Sequence, residues 1–404
     1  MKIKTICIFT QSPLSQAPRV VKEANVYAEA NFEVTVYALW YHKELLEKDQ
    51  SLLHPKIHYK AGINLLDGHS LKSKKIRLSR KIGRELVKYL HIETIAALGY
   101  DYHNYLKLLK NENADLYIGH EEMSMALAEA LIKKGHQVAF DFEDWHSRDL
   151  LPKDRAYRPL KLLTRLEHYL LEKARYAYTT SHSMATAMAN TYNTKVPQVI
   201  YNSFSYKERR IIDGIQIDRP NFSKPSLYWF SQVISAGRGL ELLFDALKQT
   251  KTPLQLHLRG KITVAYHQFL KDNTPNHVQL FVHEVVPYHQ LISRIAEHDL
   301  GIAFEETTPE SRNLTITNKV FHYLQSGIGI LATETKGQKE VGNIAPDAIC
   351  VVDRSAKAIA LKIEEIISDK ELLERMKKSS WDAGQQEFSF EKEAEKLKQF
   401  IHAL

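Results

Sequence analysis

Three stretches of this 404-residue chain carry side chains able to do chemistry. The first, DFEDWHSRD, places Asp141, Glu143, Asp144 and His146 directly after the apolar run QVAF. Carboxylates at the carboxyl end of a strand stand where α/β proteins bind ligands, and D-x-E offers hard oxygens of the kind that hold a divalent cation. The same residue types also suit turns and helix caps. The second, FEETTPESRNLTITNK, leads from the run LGIAF to a helix expected to start near Asn318. Asn318 and Lys319 then fall in its first turn, where free N–H groups and the helix dipole favour a phosphate. A lysine there opposes the dipole, so a purely structural role explains it poorly. The third, FSQVISAGRGLE, holds Gln232 and Arg238 between a strand and a helix. A guanidinium in such a turn can fork onto a diphosphate, although a solvated arginine reads the same way.

The motifs that are missing narrow the chemistry. Nothing matches G-x-G-x-x-G or G-x-x-x-x-G-K-[ST], which argues against a nicotinamide dehydrogenase or a P-loop nucleotidase. G-x-S-x-G, the S-x-x-K set and H-E-x-x-H are missing too. The two cysteines, Cys7 and Cys350, lie far apart in apolar runs. They allow neither a disulfide scaffold nor a four-cysteine zinc site, and a reducing cytoplasm is the simplest setting. A net charge of +7 suits an anionic partner. No recognised nucleic-acid module is present, and the charge is spread out, so no nucleic-acid partner is expected.

The elements that must position these residues alternate. KIKTICIF reads as a buried strand, PRVVKEANVYAEA as a helix opened by Pro18, and EVTVYAL as the next strand. DLYIGH, EMSMALAEALIKK, QVAFDF, RLEHYLLEKARYA and YAYTTS continue the series. A second series runs from SLYWF through LELLFDALKQ, LQLHL, VQLFV, HQLISRIAEH, LGIAF, KVFHYLQS and IGILAT to AICVV. Strands alternating with helices imply βαβ units and parallel sheets. The intervening 203–224 loses the rhythm and reads as a linker. The expectation is an α/β protein of two doubly wound, Rossmann-like domains facing across a cleft. The first covers 1–205 and the second 206–388, with the last helix, 389–404, packing back on the first. A break is expected near Gly384. Residues 71–98 read as a basic amphipathic helix able to lie on an anionic membrane surface, or as an ordinary solvated helix. No apolar run reaches about 18 residues, so no membrane span is expected.

Taken in order, the motifs resemble the two-Rossmann (GT-B) glycosyltransferases, in particular the large retaining family numbered four. SPLSQAPRVVKEANVYAEANFEVTVYA is similar to that family's opening, with Arg19 matching. DLYIGHEEMSMALAEAL, DFEDWH and RLEHYLLEKARYAYTTSHSM resemble the next three signatures, and FSQVISAGRGLELLFDAL and NKVFHYLQSGIGILATETKGQKEV resemble the two of the second domain. By position, the family's diphosphate Arg and Lys fall on Gln232 and Arg238. Its Glu-x7-Glu pair falls on Leu314 and His322, with Glu305, Glu306 or Glu310 upstream as substitutes for the first.

The resemblance implies transfer of a sugar, with retention, from a nucleotide-diphosphate sugar to an acceptor hydroxyl. It implies a saccharide or lipid-linked acceptor, no cofactor and no metal, and cations and helix dipoles as the leaving-group stabilisers. The residues assigned to catalysis are Glu143, Asp141, His120, Arg238 and Lys319. Donor binding falls to Gln232, Arg238, Arg259, Glu305, Glu310, Asn318 and Lys319. Acceptor binding falls to Ser12, Arg19, Asp141, Asp144 and His146. The expected setting is bacterial surface polysaccharide or lipid-linked glycan synthesis, in the cytoplasm and at the inner face of the cell membrane. Two alternatives stay open: a sugar-nucleotide 2-epimerase, and a non-catalytic scaffold subunit that has lost both family glutamates.

Overall fold

A computed structural model describes residues 3–219 and 222–403. The chain divides into two compact units, Met1–Ile200 with Ala394–Leu404, and Tyr201–Glu393. Residue 404, at the end of the expected last helix, lies outside the described residues.

The first unit runs β1 (Thr5–Phe9), α1 (Pro18–Glu29), β2 (Glu33–Trp40), α2 (Lys43–Ser51), β3 (His58–Asn64), α3 (Leu71–Leu90), α4 (Tyr102–Lys110), β4 (Leu116–His120), α5 (Glu122–Ile132), β5 (Val138–Phe142), α6 (Leu160–Lys173), β6 (Ala177–Thr179), α7 (His182–Tyr192) and β7 (Gln198–Val199). Among the described residues its sheet has seven strands, all pairs parallel, in the order β3-β2-β1-β4-β5-β6-β7. Helices cover both faces of such a sheet, so its central strands are buried throughout and read as unbroken apolar runs. TICIF, LYIGH and VAFDF behave this way.

The second unit runs β8 (Ser226–Ile234), α8 (Leu240–Leu247), β9 (Leu254–Ile262), α9 (Val264–Asp272), β10 (Val278–His283), α10 (Tyr288–Ala296), β11 (Leu300–Ala303), α11 (Glu310–Leu314), α12 (Asn318–Ser326), β12 (Gly329–Thr333), α13 (Lys336–Ile344), β13 (Ile349–Val352), α14 (Ala356–Ser368) and α15 (Lys370–Gln386). Its sheet has six described strands in the parallel order β10-β9-β8-β11-β12-β13. Leu227, Trp229, Leu243, Phe244, Ile302 and Ile363 are among its buried core. A last helix, α16 (Phe390–His402), begins in the second unit and ends in the first. No helix among the described residues is long and apolar enough to cross a membrane.

Local chemistry sets the boundaries. Pro18 opens α1, where its missing N–H costs nothing. The Ser70 hydroxyl accepts from the Ser73 N–H and caps α3. The basic helix does not run to residue 98 as its pattern suggested. It stops at Leu90, where His91 turns left-handed (φ 53°), and Ile95–Ala97 form a separate short turn. The expected linker is also ordered differently. Tyr206–Ile211 form a 3-10 turn, and Arg209 from it is buried, donating to the carbonyls of Gln325 (3.1 Å), Leu324 (3.2 Å) and Trp381 (2.6 Å).

The break expected near Gly384 falls just after it, between α15, which ends at Gln386, and α16, which begins at Phe390; Gly384 itself does not end its helix. It lies inside α15, and its lack of a side chain lets α15 approach α12: a Cβ would sit 2.7 Å from the Leu324 carbonyl oxygen and 2.6 Å from the Arg209 guanidinium. Gly384→Ala is expected to destabilise the second unit by about 1–3 kcal/mol, read by urea unfolding. Unchanged stability would mean that α15 moves freely off α12.

Candidate functional site

In an open parallel sheet, ligands bind outside the carboxyl ends of the strands where the strand order reverses. Each unit has one such point. In the first it lies between β1 and β4, in the second between β8 and β11.

At the first point, the loop after β1 is held by acids. The Asp49 carboxylate accepts from the N–H groups of Leu14 (3.0 Å) and Ser15 (2.7 Å). Glu121, just after β4, accepts from the Thr10 hydroxyl (2.5 Å), the Gln11 N–H (3.0 Å) and the Ser12 hydroxyl (2.6 Å). Glu121 adopts φ 70°, uncommon for a residue with a side chain. Strain at a strand end beside the reversal point is where binding sites store it. Ser12, an expected acceptor contact, is thus a ligand of Glu121.

Beneath this loop lies a buried ion cluster. Arg19 and Glu23 stand four apart on α1 and share a face. The Arg19 guanidinium grips both oxygens of Asp141 through Nε and Nη2, the latter at 3.1 Å, and donates to the Ile200 carbonyl at 2.8 Å. The His120 ring stands between two carboxylates, Nε2 2.7 Å from Glu23 and Nδ1 3.3 Å from Asp141. Tyr27 and Tyr178 donate to the other oxygen of Glu23. Burial alone would discharge His120, but hydrogen bonds to Asp141 and Glu23 outweigh it and lift its pKa to about 10. Burial would likewise raise the Asp141 carboxyl, but the adjacent Arg19 charge outweighs it and holds it below the usual range.

The donor atoms of Glu23, His120 and Asp141 lie within 4.8 Å of one another, spacing compatible with a cation. Here they are spent on each other and on Arg19. Asp141, His120 and Arg19 are nearly inaccessible to solvent. They meet as expected, but under the site rather than on its surface. Glu143 sits nearer the surface, and burial raises it to about 7 against the opposing charge of Arg19. Burial also lifts Asp144 to about 6, with Asp149 adding to the effect. His146 is buried on a short turn, its Nδ1 3.9 Å from Glu122 and its carbonyl accepting from Arg158 at 3.1 Å.

The second point is built around Glu305. Lys319, in the first turn of α12, places Nζ 2.7 Å from the Glu305 carboxylate and 5.6 Å from the centre of the Trp229 ring on β8. The Glu305 backbone is pinned by the Thr333 hydroxyl, which accepts from its N–H (2.8 Å) and donates to its carbonyl (3.0 Å). Gly239 (φ 81°) closes the β8–α8 turn against this same corner: a Cβ there would lie 2.8 Å from the Cβ of Phe304. Arg238, its exposed neighbour, donates to the Ser231 hydroxyl at 3.1 Å. Arg238 and Lys319 therefore belong to one corner, with Gln232 exposed on β8 and Asn318 exposed at the start of α12, where its side-chain oxygen accepts from Asn202 at 3.2 Å. Glu310 is exposed at the start of α11. Glu306 pairs with Arg354 at 2.6 Å.

Arg259 is placed differently. It is buried on β9, and its three nitrogens serve the Tyr228 hydroxyl, the Glu284 carbonyl and the Asp218 carboxylate. That leaves no free edge for a diphosphate, so the expected donor contact is replaced by a positioning one. Nearby, His257 lies with Nδ1 3.0 Å from His283 Nε2, and burial drives its pKa down to about 3. Leu314 is core, and His322 stacks on Phe204 with ring centres 4.0 Å apart.

Sequence reading missed Glu121 and Glu23. Glu23 had a signal, its helical spacing from Arg19. Glu121 had only its place after a predicted strand.

Two Rossmann-like units, each with its reversal point at strand carboxyl ends, define the GT-B architecture. Comparison with solved structures agrees. Sucrose-phosphate synthase from Thermosynechococcus elongatus superposes with a TM-score of 0.70 at 14% identity, covering 99% of this chain and 98% of its own. HepE of Anabaena, solved with UDP and glucose, gives 0.67 at 15% identity over 99% and 100%. A UDP-N-acetylglucosamine 2-epimerase gives 0.54 at 11% identity over 100% and 96%. No protein-family model and no curated protein matches the sequence. The chain has the GT-B fold.

Removing one partner of a buried pair strands the other charge. Asp141→Asn is therefore expected to cost about 3–5 kcal/mol of stability, measured by denaturant unfolding. A loss near zero would mean that Arg19 finds water.

Stability should also fall on both sides of neutrality. His120 is raised, so its contribution is full below about pH 6.5 and is lost as pH climbs through about 10. His257 is depressed, so its unfolded form takes up protons first and stability falls as pH drops from about 6.5 towards 3. Urea midpoints across this range check both limbs. His120→Gln should flatten only the alkaline one.

Proposed function

We propose that this chain is a glycosyltransferase that moves a sugar, with retention, from a nucleotide-diphosphate sugar to an acceptor hydroxyl. The carrying observation is the corner formed by Arg238, Lys319 and Glu305 at the β8/β11 reversal, with the start of α12 beside it. As the bond from the anomeric carbon to the diphosphate oxygen breaks, negative charge collects on the leaving group. Fixed cations and a helix N-terminus there stabilise that charge without reorganising. Lys319 is held ready by Glu305, and among the described residues Arg238 is bound only to a neutral hydroxyl, so its other N–H groups can fork onto phosphate. Gln232 adds an amide. Two similar proteins, HepE solved with UDP-glucose and sucrose-phosphate synthase, support this choice of donor class.

The acceptor is assigned to Ser12 and Glu121 at the β1/β4 point and to Glu143, Asp144 and His146 in the loop after the neighbouring β5. Arg19, Asp141 and His120 act from below by fixing the charge around Glu143. The acceptor proton passes to the departing phosphate on the same face, so no strong enzymic base is required. We place the reaction at the inner face of the cell membrane, on a surface polysaccharide or lipid-linked glycan.

A thermal-shift panel of UDP, GDP, ADP and CMP with their common sugar conjugates tests this. A ligand at 100 times its dissociation constant adds about 2.7 kcal/mol. One nucleotide should stabilise the wild type and lose that effect in Arg238→Ala and Lys319→Ala. No response to any of them would overturn the donor site and favour a scaffold role. Conversion of a sugar nucleotide incubated alone into its 2-epimer would replace transfer by epimerisation.

A further inference from the structure

Helix α3 is amphipathic in an unusual sense. Its buried line, Ser73, Ile76, Gly83 and Val87, docks it on the first unit. The opposite line is apolar as well. Leu71, Leu78, Ile82 and Tyr89 recur at steps of seven, four and seven, which at about 3.6 residues per turn stack along one solvent-facing ridge. They are 77%, 55%, 50% and 65% exposed. Flanking them over 72–88 are eight cations against one carboxylate, Glu85. An exposed apolar ridge bordered by cations is the pattern of a helix lying in an anionic lipid interface.

One flank of α3 forms a cavity of about 390 Å³ lined by Arg77, Arg80, Lys81, Arg84, Glu85, Tyr100 and Tyr157. Tyrosine rings hold the guanidinium groups: Arg77 lies 5.4 Å from the Tyr41 ring centre, Arg80 4.4 Å from Tyr100 and Arg84 5.0 Å from Tyr157. Lys88 ties Tyr157 in place through a 2.8 Å hydrogen bond. Rings orient a guanidinium without neutralising it. Among the described residues, the buried Nε atoms of Arg77 and Arg80 have no hydrogen-bond partner. Four cations against the single carboxylate of Glu85, with the guanidinium groups preoriented by rings, match the oxygens of a phosphate.

We propose that this cavity seats the phosphate of an anionic lipid while the ridge enters the bilayer. The ridge favours lipid over free phosphate, since a soluble anion leaves those four side chains in water. The inference rests on the membrane placement proposed above and deepens it, and is independent of the donor site.

Vesicle flotation of the full chain tests it, with phosphatidylcholine alone and with about one-third phosphatidylglycerol. The wild type should float only with the anionic vesicles. Lys72→Gln/Lys74→Gln, outside the cavity, should weaken binding about thirtyfold, the share of two surface charges. Arg80→Gln/Arg84→Gln should lose about a further tenfold. Equal losses in the two pairs would overturn the cavity. Leu78→Ser/Ile82→Ser should abolish binding without changing circular dichroism, and retained binding would overturn insertion. No flotation of the wild type would overturn lipid docking altogether. Stabilisation by inorganic phosphate that needs Arg80 and Arg84, without flotation, would make this a free-phosphate site instead. Nucleotide stabilisation should be the same in every variant, which separates failure here from failure of the donor reading.

Discussion

A guanidinium cut off from water must be matched by charge and hydrogen bonds where it stands. Arg19 meets that constraint by joining three parts of the first unit: α1, which carries it, β5, which carries Asp141, and Ile200, the last residue before the chain passes to the second unit. His120 and Glu23 extend the match to β4 and to the next turn of α1. The cluster is balanced only as a whole. It explains why so many ionisable groups sit together beneath the β1/β4 reversal; Glu143, one layer nearer solvent, is raised to about 7 by burial, with the Arg19 charge opposing the rise.

The second unit solves a different problem with similar means. Its buried Arg259 and Arg219 pair with Asp218 and Asp299 inside the fold, which leaves the exposed Arg238 and the half-buried Lys319 as cations of the β8/β11 corner. The distinction between a buried, paired arginine and an exposed one is made by neighbours far apart in sequence. Asp218 is 41 residues from Arg259, and no local pattern links them.

This difference also explains what the sequence disclosed. The alternation of apolar runs and helices revealed two doubly wound units, because parallel strands buried on both faces carry that pattern locally. Pro18, Asn318 and the α12 start were legible for the same reason. The α3 end was not, because a basic periodic pattern continues past His91 while the backbone turns there. The break near Gly384 was legible to within three residues, but the part played by the glycine, close approach to Leu324 across the core, was not. Within the site, Lys319 stood out by opposing its helix dipole. Glu121 did not, since its importance lies in three donors from a loop about 110 residues upstream.

Helix α16 has a consequence for how the chain comes to be folded. Half-buried Phe400 packs beside Tyr176 and Tyr178, with ring centres 5.4 Å and 6.2 Å apart, and Leu397 and Ile401 beside it are buried. These contacts complete the first unit with its most distant residues. During synthesis the first two hundred residues emerge with an apolar strip uncovered, and it stays so until the whole second unit has been made. At about 5–20 residues per second that delay is roughly 10–40 seconds. Over that time the nascent first unit presents sticky surface to the cell, and completion of the second unit becomes the event that closes it.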